Sequence, residues 1–369
     1  MFETSHLSHS STSSPASAWP AGLPLLPPGR KLRALRRVRP SLVPGVAAAI
    51  DQALDLFKQL MLRADQESRS LKGPSPELEA LTHAGMDQLC LLLSRAFGPE
   101  SGLSAAARAE LGVRVQRELH PYLLLTRVVE RIYSKPRGYA GDFQTIEWMY
   151  RNQPGGFGIV GPLIDRAFLE RPAARAVRNR RGLLAGEIAG AVEKGGRVTS
   201  LACGPAEEIF DVFAGLADPA RLKATLIDID FEALALVSNR AEREGIHSHL
   251  RFLQGNLVHF ATGRADAKLA PQDLIYSIGL IDYFSDRFVI ALLDWIHDHL
   301  RPGGKVVLGN FHPRNPDRAL MEQVLDWKLV HRTEDDMHRL FRASRFAAPC
   351  SEIRFEEAGV NLFAAAIRV

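Results

Sequence analysis

RVTSLACGPAEEIFDVFAGL, residues 197–216, is the stretch that decides the fold. RVTSLA is a short run rich in β-branched and apolar residues, the pattern of a buried strand. It passes through the small residues Ala202-Cys203-Gly204-Pro205-Ala206 into PAEEIFDVFAGL, which reads as a helix. Outward from there the alternation repeats. ATLIDI is a strand, FEALALVSNRAEREG a helix, and LRFLQGN a strand. DLIYSIGL is a strand, FVIALLDWIHDHL a helix, and KVVLGNF a strand; SEIRFEEAG and NLFAAAIRV form a closing antiparallel pair. Seven strands in this alternation predict an α/β fold with a mostly parallel, doubly wound sheet covered on both faces. Ligands then belong at the carboxyl ends of the strands.

Upstream the periodicity changes. PGVAAAIDQALDLFKQLMLRAD, residues 44–65, places Ala47, Ile50, Ala53, Leu54, Phe57 and Leu60 at three- and four-residue steps, the mark of an amphipathic helix. Helical stretches follow at about 76–97, 104–133 and 164–194. A Gly-, Pro- and aromatic-rich loop with a short helix inside it lies between Ser134 and Gly161. The expected division is a Ser/Pro-rich and basic tail over 1–40, a helical region over 41–160 that covers a ligand site as a lid or substrate wall, and the strand–helix domain over 161–369. The tail contains SHSSTSSPASAWPAGLPLLPPG, too poor in periodic apolar residues to offset chain entropy, and is expected to be disordered.

Composition narrows the function classes. The 369 residues carry a formal charge of +4, with Arg30, Lys31, Arg33, Arg36, Arg37 and Arg39 in one run. That run reads as a solvated linker, with peripheral contact to an anionic membrane as the alternative. No zinc-finger spacing or aromatic-studded basic strand points to nucleic acid. Cys90, Cys203 and Cys350 are too few and too scattered for a disulfide framework and fit a reducing, cytoplasmic setting. No secretory signal or transmembrane run is evident. His247, His249, His259, His297 and His299 form no metal-ligand pattern, so no metal is expected. Oligomeric state is not legible.

The chemistry gathers at the strand ends. Ala202, Cys203, Gly204 and Pro205 let the backbone approach a ligand before a helix N-terminus. Asp228, 24 positions after Gly204 at the tip of the second strand, suits hydrogen bonding to ribose hydroxyls. Asp230 is a second candidate there, with helix capping as its structural alternative. Gly255 and Asn256 end the third strand, either against an adenine edge or simply as a turn. Ser277, Gly279, Asp282 and Tyr283 follow the fourth strand, and LRPGG precedes the fifth.

In this order and spacing, residues 197–369 resemble the class I S-adenosylmethionine-dependent methyltransferases, whose sheet is Rossmann-like. The first motif departs from the family pattern at three positions. Ser200 stands where an acidic residue is usual, and Ala202 and Ala206 stand where glycines are usual. Asn256 replaces the usual aspartate of the third motif. KPRGYAGDFQTIEWMY, DYFSDR and GNFHPRNPDR extend the likeness upstream to about residue 120. They are similar to a bacterial subgroup that includes the enzymes making 3-hydroxy fatty acid methyl esters, the extracellular-factor signals.

The resemblance implies S-adenosylmethionine as cofactor and a small-molecule acceptor, with the carboxylate of a hydroxy fatty acid as the first expectation. A polyketide- or peptide-like hydroxyl or amine is the second, and a non-catalytic cofactor-binding scaffold the third. A nicotinamide oxidoreductase is disfavoured because residues 202–207 lack G-x-G-x-x-G. A carboxylate acceptor needs no base; a hydroxyl or amine does. His312, after the fifth strand, is the first candidate base, followed by Asp282 and Tyr283. Arg137 and Tyr139, in RGYAGD, are candidates for a lid, with Arg137 meeting an acidic group or pairing locally with Asp142. Trp327, His331 and Arg332 are expected on a helix after the fifth strand, with Arg332 on a solvated face and Asp282 free to pair with Arg287.

Overall fold

The computed structural model describes residues 44–70 and 74–369. The 1–40 tail and its basic run lie outside the described residues. Seven helices come first: α1 (Pro44–Ser70), α2 (Pro76–Phe97), α3 (Ala105–Leu123), α4 (Arg127–Ser134), α5 (Phe143–Arg151), α6 (Val160–Leu169) and α7 (Pro172–Val192). The expected helix over 104–133 is two helices. The break is Thr126, whose hydroxyl accepts the Val129 N–H as a new N-cap. The expected helix over 164–194 is likewise divided, because Pro172 lacks the N–H an interior position needs and instead opens α7.

The alternating part follows as β1 (Arg197–Leu201), α8 (Glu207–Gly215), β2 (Lys223–Asp228), α9 (Phe231–Arg243), β3 (Leu250–Gln254) and α10 (Leu257–Ala261). It continues through β4 (Gln272–Ile278), α11 (Asp286–His299), β5 (Leu300–Phe311), α12 (Arg318–Gln323), α13 (Glu334–Ala343), β6 (Glu352–Phe355) and β7 (Asn361–Ile367). The seven-stranded sheet has the order β3-β2-β1-β4-β5-β7-β6. β1 pairs in parallel with β2 on one side and β4 on the other, while β7 runs antiparallel to β5 and β6. Successive strands are added in one direction from β1 to β3 and in the other from β4 onward, and this switch of order opens a crevice outside the carboxyl ends of β1 and β4.

Three apolar clusters hold this arrangement. One face of the sheet packs Leu226, Leu274, Tyr276 and Phe363 against α7, α8 and α9. The other packs Ile227, Ile275, Leu308 and Leu362 against α11 and α13. The third joins the early helices, through Phe57, Leu89 and Ile164, to Phe311 at the end of β5 and to Trp327 and Val360 in the connections that follow. The early helices therefore share a core with the chain that leaves β5, which brings residues 139–150 over the strand ends.

Residues 326–333 are irregular rather than helical, which corrects one expectation. Arg332 is also not on a solvated face. It is 2% exposed and donates to the carbonyls of Ile281 and Phe284, to Asn310 Oδ1 and to Asp286. A guanidinium satisfied in this way needs no water, and it fixes the 281–286 turn against β5. Among the described residues, no helix is long and apolar enough to cross a membrane.

Candidate active site

A cavity of about 320 Å³ opens at the β1–β4 crevice. Its floor is the loop after β1. Ala202, Gly204 and Ala206 all take left-handed backbone angles, with φ of 54°, 53° and 49°. Cβ-bearing residues pay a penalty there, which explains physically why glycine is usual at the two alanine positions. The loop is pinned by Asp228, whose carboxylate accepts the Gly204 N–H at 2.9 Å and the Asp230 N–H at 2.9 Å. Burial raises the Asp228 pKa, and those two N–H bonds oppose the rise. Each carboxylate oxygen keeps lone-pair capacity toward the cavity, which Asp228 lines together with Ile229. Ile229 is 58% exposed, an apolar face left open at the mouth.

Ala202, Cys203, Gly204, Pro205, Asp228, Gly279, Asp282, Tyr283 and Tyr139 all line this cavity. Others selected from the sequence do not. Ser277 is turned away by strand alternation, which points Tyr276 and Ile278 inward; its Oγ donates to the Leu201 carbonyl at 2.9 Å. Asn256 caps α10 by accepting the Val258 N–H, and a Cβ on Gly255 would meet the Phe260 ring at 2.5 Å. Asp230 caps α9 through the Glu232 N–H. His312 also faces away, while Phe311 before it lines the cavity. Its Nδ1 accepts the Arg314 N–H at 3.1 Å and its Nε2 meets Glu334 at 2.9 Å, so both ring nitrogens are engaged.

The RGYAGD loop closes one side. Arg137 does not itself line the cavity and does not pair with Asp142: it pairs with Asp230 at 2.9 Å and with Glu232, its guanidinium 4.8 Å from the ring of Phe143, which does line it. Asp142 caps α5 and pairs with Arg131 at 2.7 Å. The loop is thereby tied to the start of α9, holding Tyr139 at the cavity. Burial, then the carboxylates of Asp228, Asp230 and Asp142, push the Tyr139 pKa upward, so it stays a donor. Gly141 is required by closeness: a Cβ there would stand 2.8 Å from Tyr283 Oη, which itself accepts from Trp327 Nε1 at 2.8 Å.

Asp282 is the most reactive-looking group in the wall. It is 1% exposed, and its Oδ1 accepts the Phe311 N–H at 2.6 Å. Its Oδ2 is buried without a partner among the described residues. Burial raises its pKa to about 6, against the N–H of Phe311 and the more distant charges of Arg332 and Arg180. Arg287 does not pair with it. Reading the sequence missed Tyr150, Arg180, Glu208 and Tyr276, all of which line the cavity. Glu208 is 4% exposed and accepts from Tyr276 Oη at 2.7 Å. Its place at the start of α8 in the quoted stretch was the available signal. Tyr150 and Arg180 sit on helices before the sheet, and no local pattern marks them.

A family model described as "Putative methyltransferase" matches residues 137–368, and the chain belongs to that family. The match begins at Arg137, so the RGYAGD loop is part of the family's own segment. The uncharacterized protein YnbC of Escherichia coli (strain K12) is 24% identical over 238 residues, 61% of this chain and 40% of its own length. This chain thus spans less than half the length of that curated relative. Among solved structures, a possible exported protein from Bordetella parapertussis aligns with TM-score 0.53 and 21% identity, over 80% of this chain and 99% of its own, and shares the fold. The S-adenosylmethionine-dependent methyltransferase SibL aligns with TM-score 0.45 and 18% identity over 89% and 98% of the two chains. Magnesium protoporphyrin IX methyltransferase from Synechocystis PCC 6803, solved with bound SAM, aligns with TM-score 0.39 and 10% identity over 53% and 83%.

Proposed function

We propose that this protein transfers a methyl group from S-adenosylmethionine to a small acceptor with an apolar body, and that the β1–β4 cavity is where it does so. The observation that carries the reading is the convergence of Asp228, the left-handed 202–206 loop and Ile229 on one cavity. Asp228 suits two ribose hydroxyls, the open face of Ile229 suits an adenine ring, and the loop backbone allows close approach. The cofactor supplies a methyl group already activated on a sulfonium. The protein's part is then positioning and exclusion of water. Tyr139 on the 137–142 loop covers the cavity, Tyr283 is held in place by Trp327, and Phe311, Leu329 and Phe284 supply apolar wall.

The acceptor we infer first is the carboxylate of a hydroxy fatty acid, supported by the RGYAGD, DYFSDR and GNFHPRNPDR resemblance and by the apolar wall. The second is a hydroxyl or amine, favoured by the unpartnered Asp282 Oδ2. A carboxylate with a pKa of about 6 is ionised at neutral pH and is poised to take a proton. His312, with both ring nitrogens engaged, has no part in this proposal. Asp282→Asn separates the two acceptors when methyl-labelled S-adenosylmethionine is incubated with a 3-hydroxy fatty acid or with a hydroxylated aromatic compound that carries no carboxyl group. Near-normal labelling of the fatty acid supports the carboxylate reading. A loss of about 10²–10⁴-fold supports a base-dependent acceptor. No labelled product with either class would contradict the proposal for both.

A further inference from the structure

A buried cation without a carboxylate partner stands in the inner wall of the cavity. Arg180, on α7, is 6% exposed and lines the cavity. Its Nε donates to Tyr150 Oη at 3.1 Å. Among the described residues, no carboxylate oxygen comes within the 4.0 Å of an ion pair with its guanidinium. Asp282 and Glu208 feel its charge at longer range. The other deeply buried arginines are satisfied: Arg171 by Asp317 and Asp87, Arg332 by Asp286 and three further acceptors. Burying a guanidinium without an anion is costly, so its retention in a ligand cavity asks for a ligand anion.

Two further features say where that anion lies. Arg180 Nη1 sits 3.0 Å from the place a Cβ on Gly279 would occupy, so this glycine (φ 80°) gives the guanidinium room at the end of β4. In the strand order, the tips of β2, β1 and β4 are successive. A ligand whose ribose rests on Asp228 at β2 and whose chain crosses the β1 loop therefore ends at β4, against Arg180. A planar guanidinium fork matches a carboxylate in two parallel hydrogen bonds. Glu208 and Asp282 stand in the same wall, offering the opposite sign to an adjacent ammonium.

We propose that Arg180, oriented by Tyr150, binds the carboxylate at the amino-acid end of the methyl donor. The proposal rests on the donor reading above. Its test is calorimetric titration of the full-length chain with S-adenosylhomocysteine and, separately, with 5′-methylthioadenosine, which keeps the nucleoside thioether and lacks the amino-acid carboxylate. Arg180→Gln should weaken S-adenosylhomocysteine about 10- to 150-fold, the span of a charge-assisted hydrogen bond, and leave 5′-methylthioadenosine within about two-fold. Tyr150→Phe should give a smaller loss, roughly three- to ten-fold, again confined to the ligand with the carboxylate. Unchanged S-adenosylhomocysteine affinity in Arg180→Gln would overturn the proposal and leave the cation to the acceptor. Equal weakening of both ligands would also overturn it, because Arg180 would then be supporting the cavity as a whole. If the wild-type protein binds neither, the donor reading itself falls and takes this inference with it.

Discussion

Replacing Arg332 by leucine tests how the cavity wall is held. The guanidinium reaches the Ile281 carbonyl at 2.8 Å, Asn310 Oδ1 at 2.9 Å, the Phe284 carbonyl at 2.6 Å and Asp286 at 3.0 Å. Leucine fills much of the volume but donates to none of these. The Ile281 carbonyl and Asn310 amide oxygen would then be buried without this donor, each at a cost of about 1–3 kcal/mol. The Asp286 carboxylate is 40% exposed, so losing that pair adds little. Together the substitution should cost roughly 3–5 kcal/mol, the range for breaking a buried charged network. With a urea slope near the upper end of about 1–3 kcal/mol/M for a chain this long, the midpoint should fall by about 1–2 M. Arg332→Lys should recover less than half, because an ammonium cannot reach four separated acceptors. A midpoint within about 0.3 M of wild type would refute the argument that this arginine fixes the turn carrying Asp282 and Tyr283.

Three further outcomes follow from the same geometry. Burial raises the Asp282 pKa from an ordinary 3.8 to about 6, so folding favours its protonated form. Stability therefore falls as pH rises from about 4 to 6, and Asp282→Asn should remove that penalty. The variant should match or exceed wild-type stability at pH 8 and lose the advantage below pH 4; urea unfolding that shows it weaker at pH 8 would contradict the burial account. Ala202, at φ 54°, sits where glycine is at ease. Ala202→Gly should leave stability unchanged or raise it by up to about 1 kcal/mol, while Ala202→Val should lower it by at least about 1 kcal/mol, both read from urea midpoints. A destabilised glycine variant would remove the strain argument. Gly141→Ala forces a Cβ to 2.8 Å from Tyr283 Oη and 3.2 Å from Trp327. It should cost about 1–3 kcal/mol by overpacking, and a neutral result in the same assay would show that the loop moves freely.

The sheet was legible because its signal is local. RVTSLA, ATLIDI and DLIYSIGL each announce a strand without reference to the rest, and each forms one. Helix ends were less so. Nothing in the periodicity of 104–133 marks the break at Thr126, which becomes visible as an N-cap once its hydroxyl is seen to accept a hydrogen bond. At the cavity, residues on strand tips were found by spacing, and Asp228 and Gly279 do line it. Spacing failed where a one-residue change of face decides the matter: Ser277 and His312 point away while their neighbours Tyr276 and Phe311 point in. Arg180 and Tyr150 come from helices far upstream in sequence, brought to the crevice by packing alone. Arg332 read as a surface residue because charge is its only local feature; its acceptors, near 281–286 and at 310, are distant in sequence.

The most direct test of the account is calorimetric titration of the wild-type protein with S-adenosylhomocysteine beside Asp228→Ala. The account predicts saturable one-to-one binding, weakened in the variant by about ten-fold or more through lost charge-assisted hydrogen bonds. An intact, folded wild-type protein that shows no binding would contradict it.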